Sequence, residues 1–184
     1  MQTERFEFET SNLVWVSCPY PAAVALELER VLKPKARIYD GQEPPVDEAP
    51  SSIIFYPYEE DIASEVRRFR TLAPDASILV LSLGIDPELA RAALLAGAHG
   101  FIHLGMQPAQ IARAISAAPK DETVIPRELL EAFLVEVESW GDLIPTSRQR
   151  KILEQILAVV VSSGDEVAIP RELLEAFLME VAMA

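Results

Sequence analysis

The sequence predicts an α/β protein built on a doubly wound parallel β-sheet and followed by a helical extension. Two observations predict this fold class. Short apolar runs of β-forming residues alternate with stretches that place apolar residues at helical spacing, and the links between them are short. A segment near the C-terminus then recurs 44 residues later, outside the alternating pattern. We therefore predict an α/β domain over residues 1–118 and a helical extension over residues 119–184.

Five apolar runs are predicted as strands because they are rich in β-branched or aromatic residues and end at turn signals. They cover residues 12–17, 36–39, 52–56, 78–81 and 101–104. Proline closes the first and third runs, at Pro19 and Pro57. Runs this apolar suit strands that are covered on both faces of a parallel sheet.

Four helices are predicted around these strands, from apolar residues at mixed or helical spacing and from glycine and proline signals. They cover residues 22–32, 62–72, 87–96 and 108–117. Pro87 and Pro108 stand in first turns, where proline is favoured, and Gly97 follows a helix end, where glycine adopts the left-handed conformation. Three prolines within residues 41–50 disfavour a full helix between the second and third strands.

Composition narrows the classes of function. The net charge of −13 repels phosphate, so nucleic acid is not an expected partner. The single cysteine excludes an internal disulfide and a zinc cluster, and it fits a reducing compartment. Residues 1–10 lack the apolar core of a secretion signal, and no apolar run approaches the roughly 20 residues of a membrane span. We expect a cytoplasmic protein without membrane contact.

Residues 77–117 resemble the second half of a bacterial response-regulator receiver domain. The segment contains a strand ending at Ser82, a turn Ala-Gly-Ala-His-Gly-Phe over residues 96–101, and the helix over residues 108–117. The resemblance covers roughly residues 13–118 and is greatest to receivers attached to LuxR-type helix-turn-helix regulators. It implies a flavodoxin-like sheet whose strand ends hold a phosphoacceptor Asp, an acidic Mg²⁺-binding pair, a Lys and a hydroxyl.

Most of that phosphorylation chemistry is missing from the matching positions. The degenerate phosphoacceptor pocket consists of five residues: Cys18, Pro19, Tyr56, Ser82 and Leu104. Cys18 and Pro19 match the acidic pair, Tyr56 the phosphoacceptor and Leu104 the Lys. Without a base or metal, a phenol cannot replace a carboxylate nucleophile, and a thiol beside proline cannot hold Mg²⁺. We expect no phosphorylation, no metal, no cofactor and no enzymatic activity.

Some residues match the receiver family, and others suggest a different function. Ser82 and Phe101 match the hydroxyl and aromatic pair that switches in receivers. The acidic run 59–61 is either a displaced acceptor or, as we favour, a helix start that complements the helix dipole. His103 and Cys18 are expected as packed core residues rather than a ligand and an oxidant sensor.

A duplicated segment dominates the C-terminal part. Residues 121–137 recur at 165–181, and each copy is predicted as one amphipathic helix with proline in its first turn. A third predicted helix, over residues 147–161, lies between the copies. The predicted helical interface consists of the repeated apolar residues Leu129, Leu130, Phe133, Leu134, Leu173, Leu174, Phe177 and Leu178. These faces either pack within the chain or join two chains as a homodimer.

Residues 143–153 also resemble the start of a LuxR-type DNA-binding domain. The 44 residues after Trp140 carry four basic and seven acidic residues, and a repeat copy stands where a basic recognition helix belongs. The output domain is therefore expected to be truncated or replaced.

We predict a phosphorylation-independent receiver-like module of bacterial signalling that binds a protein partner, or itself. The predicted surfaces are the face between helices 87–96 and 108–117 and the repeated helices. The alternatives are a degenerate LuxR-type DNA-binding regulator and a small-ligand-binding domain that uses the strand-end pocket.

Overall fold

The computed structural model describes residues 13–18, 21–32, 36–57, 61–138, 146–162 and 166–183. The strands are β1 (Leu13–Ser17), β2 (Arg37–Asp40), β3 (Ser52–Phe55), β4 (Ser77–Ser82), β5 (Gly100–His103), β6 (Glu122–Pro126) and β7 (Glu166–Pro170). The helices are α1 (Pro21–Leu32), α2 (Ile62–Leu72), α3 (Pro87–Leu95), α4 (Pro108–Ala117), α5 (Arg127–Glu138), α6 (Ser147–Ser162) and α7 (Arg171–Met183). A 3-10 turn, Ala118–Lys120, follows α4.

Strands β1 to β5 form one parallel sheet in the order β2-β1-β3-β4-β5. The predicted doubly wound α/β fold is confirmed. Every strand except the first follows the previous one through a crossover, so all five carboxyl ends lie along one edge of the sheet. Gly97 has a φ of 97°, the left-handed value predicted for the end of α3.

The two faces of the sheet carry separate apolar clusters. Alternate residues of a strand point to opposite faces, and both sets are buried in β1, β3, β4 and β5. One cluster joins the sheet to α1 and α4. The other joins it to α2, α3 and the C-terminal elements α5, α6, β7 and α7. The C-terminal part therefore shares a hydrophobic core with one face of the sheet.

A tryptophan and a loop take the place of a helix between β2 and β3. Residues 41–51 contain no helix or strand, as the prolines predict. Trp15 of β1 is fully buried, and its indole N–H donates a hydrogen bond to the Gly41 carbonyl at 2.8 Å. Its ring meets the ring of Phe69 edge-on, with centroids 5.3 Å apart. A large side chain thus covers the sheet where no helix can form.

The prediction that each repeat is a single helix is wrong. Each copy begins as a strand, β6 or β7, and continues as a helix, α5 or α7. Pro126 and Pro170 end the strands instead of standing inside the first helical turn. The β-branched run Thr123, Val124 and Ile125 favours a strand, and its antiparallel partner is the other copy.

The repeated helices pack within the chain. Of the eight predicted interface residues, Leu134 and Leu173 are half-buried and the others are buried. Helices α5 and α7 both contact α3, while β6 contacts β5 and α4. Arg91 of α3 forms an ion pair with Glu136 of α5 and lies over the Phe133 ring, 5.7 Å from its centroid. The face between α3 and α4, one of the predicted partner surfaces, is therefore covered by the chain's own repeats.

Candidate functional site at the strand ends

The fold brings four of the five predicted pocket residues to the carboxyl edge of the sheet. Cys18 follows β1, Tyr56 follows β3, Ser82 ends β4 and Leu104 follows β5. Backbone hydrogen bonds continue the sheet pairing there: Tyr56 N–H donates to the Ser17 carbonyl at 3.0 Å, and Leu104 N–H donates to the Ser82 carbonyl at 3.1 Å. Pro19 lies outside the described residues.

These four residues do not all belong to one apolar cluster. Cys18 is buried and Tyr56 is half-buried, and both pack with the cluster on the α1 and α4 face. Ser82 is 7% exposed and has the strand parity of Val80, which belongs to the opposite face. Its partner in the β5 register is His103. The strand alternation therefore separates the hydroxyl of Ser82 from the thiol and phenol positions.

The edge is apolar at the position where a receiver has its cation. Leu104 is 47% exposed. In the neighbouring β4–α3 loop, Leu83 and Ile85 are 65% and 43% exposed. We name Leu83, Ile85 and Leu104 the strand-end patch. A patch of this kind offers dispersion and hydrophobic contacts to another molecule, and no charge to a phosphoryl group.

The receiver-like aromatic, Phe101, is enclosed. It is fully buried beside Val80, its register partner in β4. It shares its cluster with Phe133 of α5 and Phe177 of α7. Bringing this ring to the surface would therefore open the core that joins the sheet to the repeats. The geometry keeps Ser82 and Phe101 on one face, as the resemblance implies, but holds the aromatic ring inside.

His99 has a structural role that sequence patterns did not reveal. Its backbone N–H donates to the Ile78 carbonyl at 2.6 Å, and its Nδ1 accepts from the Ile78 N–H at 3.0 Å. The ring proton is therefore on Nε2. Burial first, and then the charges of Arg171 and Arg70, lower the pKa of His99 to about 4. Thr123 Oγ1 donates to the His99 carbonyl at 3.1 Å, which links β6 to this turn.

His103 is packed at the end of β5. It is 8% exposed, and its Nδ1 accepts a hydrogen bond from the Gly105 N–H at 3.1 Å. Burial lowers its pKa, an effect that the charge of Glu128 partly offsets. This agrees with the expected packed histidine.

Asp61 caps the start of α2. Its Oδ1 accepts from the Ser64 N–H at 3.1 Å, and hydrogen bonds from Ser64 hold the pKa of this carboxyl below its usual range. A capping carboxylate stabilises the positive end of the helix dipole. This geometry fits the helix-start interpretation of the acidic run, of which Glu59 and Glu60 lie outside the described residues.

Two surface clefts lie near the opposite edge of the sheet. One, of about 380 Å³, is lined by Asp121, Pro170, Arg171, Glu172 and Glu175. The other, of about 260 Å³, lies between the proline-rich loop 44–50 and residues 72–76. Within the described ranges, no three His, Cys, Asp or Glu side chains are grouped as metal ligands. No helix among these residues is long and apolar enough to cross a bilayer.

Several solved structures share this architecture. A response regulator from Thermotoga maritima superposes with a TM-score of 0.53 at 18% identity, covering 60% of this chain and 98% of that one. A LuxR family DNA-binding response regulator from Silicibacter pomeroyi gives 0.52 at 22% identity, with 64% and 98% covered. The chain has a receiver fold.

Longer and sequence-level similarities point the same way. The RcsB response regulator of Salmonella typhimurium superposes with a TM-score of 0.55 at 15% identity, covering 95% of this chain and 91% of RcsB. In sequence, the chain is 33% identical over 94 residues to the methanol utilization control regulatory protein MoxX of Paracoccus denitrificans. That match covers 50% of this chain and 42% of MoxX. No family model matches the chain.

Proposed function

We propose that this chain is a receiver-like signalling module that is not switched by phosphorylation and that acts by binding another protein. The observation that carries the proposal is the set of side chains at the strand ends of a receiver fold. Tyr56 stands at the acceptor position, the buried Cys18 at a metal-ligand position and the exposed Leu104 at the cation position. A role in bacterial regulation is supported by the similarity to MoxX, which is named as a regulatory protein.

Phosphoryl transfer needs parts that these side chains do not supply. The transferred group carries charge that a metal ion and a cation must neutralise, while a carboxylate attacks in line. A neutral phenol is a weak nucleophile near neutral pH, since its reference pKa is about 10. Leucine offers no charge, and a buried thiol is a poor ligand for the hard Mg²⁺ ion.

Acetyl phosphate tests the loss of phosphorylation. We expect no phosphorylated species by intact mass spectrometry after incubation with acetyl phosphate and Mg²⁺. A receiver with an intact acceptor site is the positive control. A phosphorylated species that disappears in Asp61→Asn would contradict the proposal and identify Asp61 as a displaced acceptor.

The strand-end patch is the proposed surface for the partner protein. Leu83, Ile85 and Leu104 remain exposed on loops that join at the Ser82–Leu104 hydrogen bond. Exposed apolar side chains on neighbouring loops offer hydrophobic contacts to a protein partner. The receiver surface between α3 and α4 is occupied by the repeats, whereas the strand-end patch is exposed.

Affinity capture followed by mass spectrometry tests this surface. A specific partner should be retained by the parent and lost from the double variant Leu83→Ser, Leu104→Ser. The matched control is Val46→Ser, since Val46 is 97% exposed in the proline-rich loop. Capture that survives the double variant, or that Val46→Ser abolishes equally, would contradict the assignment of this patch.

A DNA-binding regulator is the second candidate, favoured by the start of α6. Thr146 and Gln149 cap this helix reciprocally, with N–H to side-chain oxygen distances of 2.9 and 3.2 Å. Arg150 and Lys151 are exposed in its first turns. Against this candidate, Arg148 is paired with Glu180 at 3.2 Å, and the chain carries a net charge of −13.

A further inference from the structure

The two repeats are related by an approximate two-fold axis. Strands β6 and β7 pair antiparallel, and Val124 at the centre of the ladder lies opposite Ala168. These two residues occupy the same position in the two copies, 44 residues apart. Equivalent residues lie opposite each other only when a two-fold axis passes between the strands. Each copy therefore meets the other as identical subunits meet in an isologous dimer.

The interactions of the helices repeat as well. Arg127 pairs with Glu131 in α5 at 3.0 Å, and Arg171 pairs with Glu175 in α7 at 2.7 Å. Phe133 and Phe177, also equivalent, are buried together in one cluster. The duplication is thus a duplication of a folded β–α unit and not of sequence alone.

The same strand pairing would also join the first copies of two different chains. Arg171 N–H donates to the Asp121 carbonyl at 2.9 Å, which makes these residues a hydrogen-bonded pair. Because such pairs alternate along an antiparallel ladder, Pro126 and Pro170 fall in non-hydrogen-bonded pairs, where no N–H is needed. If β6 paired with β6 of another chain in this register, Val124 would face its own copy. Pro126 would again lie in a non-hydrogen-bonded pair.

The two copies differ where their surroundings differ. In the first copy Val124 is 2% exposed, and the Thr123 hydroxyl donates to the His99 carbonyl. In the second copy the equivalent residues are an exposed Ala168 and a buried Val167. Strand β6 thus contacts the sheet at β5, and β7 covers the pairing side of β6.

We propose that the β–α repeat is a homotypic pairing unit and that the second copy supplies, within the chain, the partner that a second chain would otherwise supply. The full chain is accordingly a monomer. A chain whose second copy cannot pair becomes a homodimer through β6 and α5. Tethering favours the internal partner, because pairing within one chain proceeds at an effective concentration set by the link between the copies, on the order of millimolar when such a link is short.

The test places the only cysteine at the proposed axis. In a Cys18→Ala background, Ile169→Asp puts a charge at a fully buried position of β7 and releases the second copy. We expect its mass by light scattering to double relative to the monomeric parent. Adding Val124→Cys should then give a disulfide between two chains on oxidation. The matched control, Glu122→Cys in the same background, should not crosslink, since residue 122 would face residue 126 of the other chain.

A second measurement applies if Ile169→Asp does not fold. Two otherwise intact proteins lacking Cys18, one with Val124→Cys and the other with Ala168→Cys, are unfolded and refolded together near millimolar concentration. We expect mixed disulfides between the two proteins, because the internal and external partners compete. The proposal is overturned by a dimeric parent, by a folded and monomeric Ile169→Asp, by equal crosslinking at residues 122 and 124, or by refolding without mixed disulfides.

Discussion

Truncating a repeated phenylalanine tests whether the repeats and the sheet form one cooperative unit. Phe133 and Phe177 are 0% and 1% exposed and belong to the cluster that contains Trp15, Val80 and Phe101. The change Phe133→Ala therefore leaves a cavity within the cluster that joins the repeats to the sheet. Phe177→Ala makes the equivalent change in the second copy.

The expected loss is large. Replacing a fully buried phenylalanine by alanine typically costs about 3–5 kcal/mol, from lost burial and from the cavity that remains. For a chain of this size, 1 kcal/mol shifts the melting temperature by roughly 2–4 °C, so each variant should melt about 6–20 °C below the parent. Phe133→Ala also removes the ring beneath Arg91, which adds to its loss. The double variant should deviate from additivity by about 0.5–3 kcal/mol, because both rings share one cluster.

Urea unfolding followed by two probes is the assay. Far-ultraviolet circular dichroism reports the whole chain, and the fluorescence of Trp15 in a Trp140→Phe background reports the sheet. Both midpoints should fall together in each variant. Val135→Ala and Met179→Ala are the controls, because these side chains are 63% and 48% exposed on the same helices. They should change stability by less than about 0.5 kcal/mol.

Two results would refute this reasoning. If both phenylalanine variants unfold like the parent, the repeated faces bury nothing important. If only the dichroism shifts while Trp15 keeps the midpoint of the parent, the repeats unfold as a separate domain beyond residue 118.

Two further predictions concern protonation and DNA. The free energy of unfolding should decrease by about 1–2 kcal/mol as the pH is lowered from about 7.5 to 5, a value already reduced to allow for screening by solvent. The folded pKa of His99, about 4, lies below its unfolded value, so the unfolded chain binds a proton that the folded chain does not. His99→Asn, which can still accept from the Ile78 N–H, should remove this part of the pH dependence in urea titrations; an unchanged pH dependence would count against it. Duplex DNA should bind weakly at about 0.15 M salt; sub-micromolar binding that is lost on neutralising Arg148, Arg150 and Lys151 would reverse this.

Sequence signals within single segments predict the five strands of the sheet but not the two strands of the repeats. The five predicted strands lie within two residues of β1 to β5, because each is a short apolar run closed by a proline, a glycine or a polar residue. The strands β6 and β7 were missed because each depends on a partner 44 residues away. The strong helical periodicity that follows Pro126 outweighs the strand signal of Thr123, Val124 and Ile125.

The sequence predicts where the candidate site lies but not what surrounds its residues. Topology rules placed Cys18, Tyr56, Ser82 and Leu104 along one edge, and the structure confirms that placement. The sequence did not reveal that Phe101 belongs to the same buried cluster as the repeats, since that cluster joins distant segments. It also offered no partner for His99, because the partner is the backbone of Ile78 and not a side chain.

The pairing of β6 with β7 has a consequence for synthesis on the ribosome. The first strand is complete 44 residues before the second. At about 5–20 residues per second, β6 waits roughly 2–9 s for its internal partner. During that interval its pairing edge is open to the same strand on a neighbouring nascent chain. Crowded polysomes should therefore yield more crosslinked Val124→Cys dimers than sparse ones, so that the rate of translation initiation, and not only the sequence, decides which partner is met first.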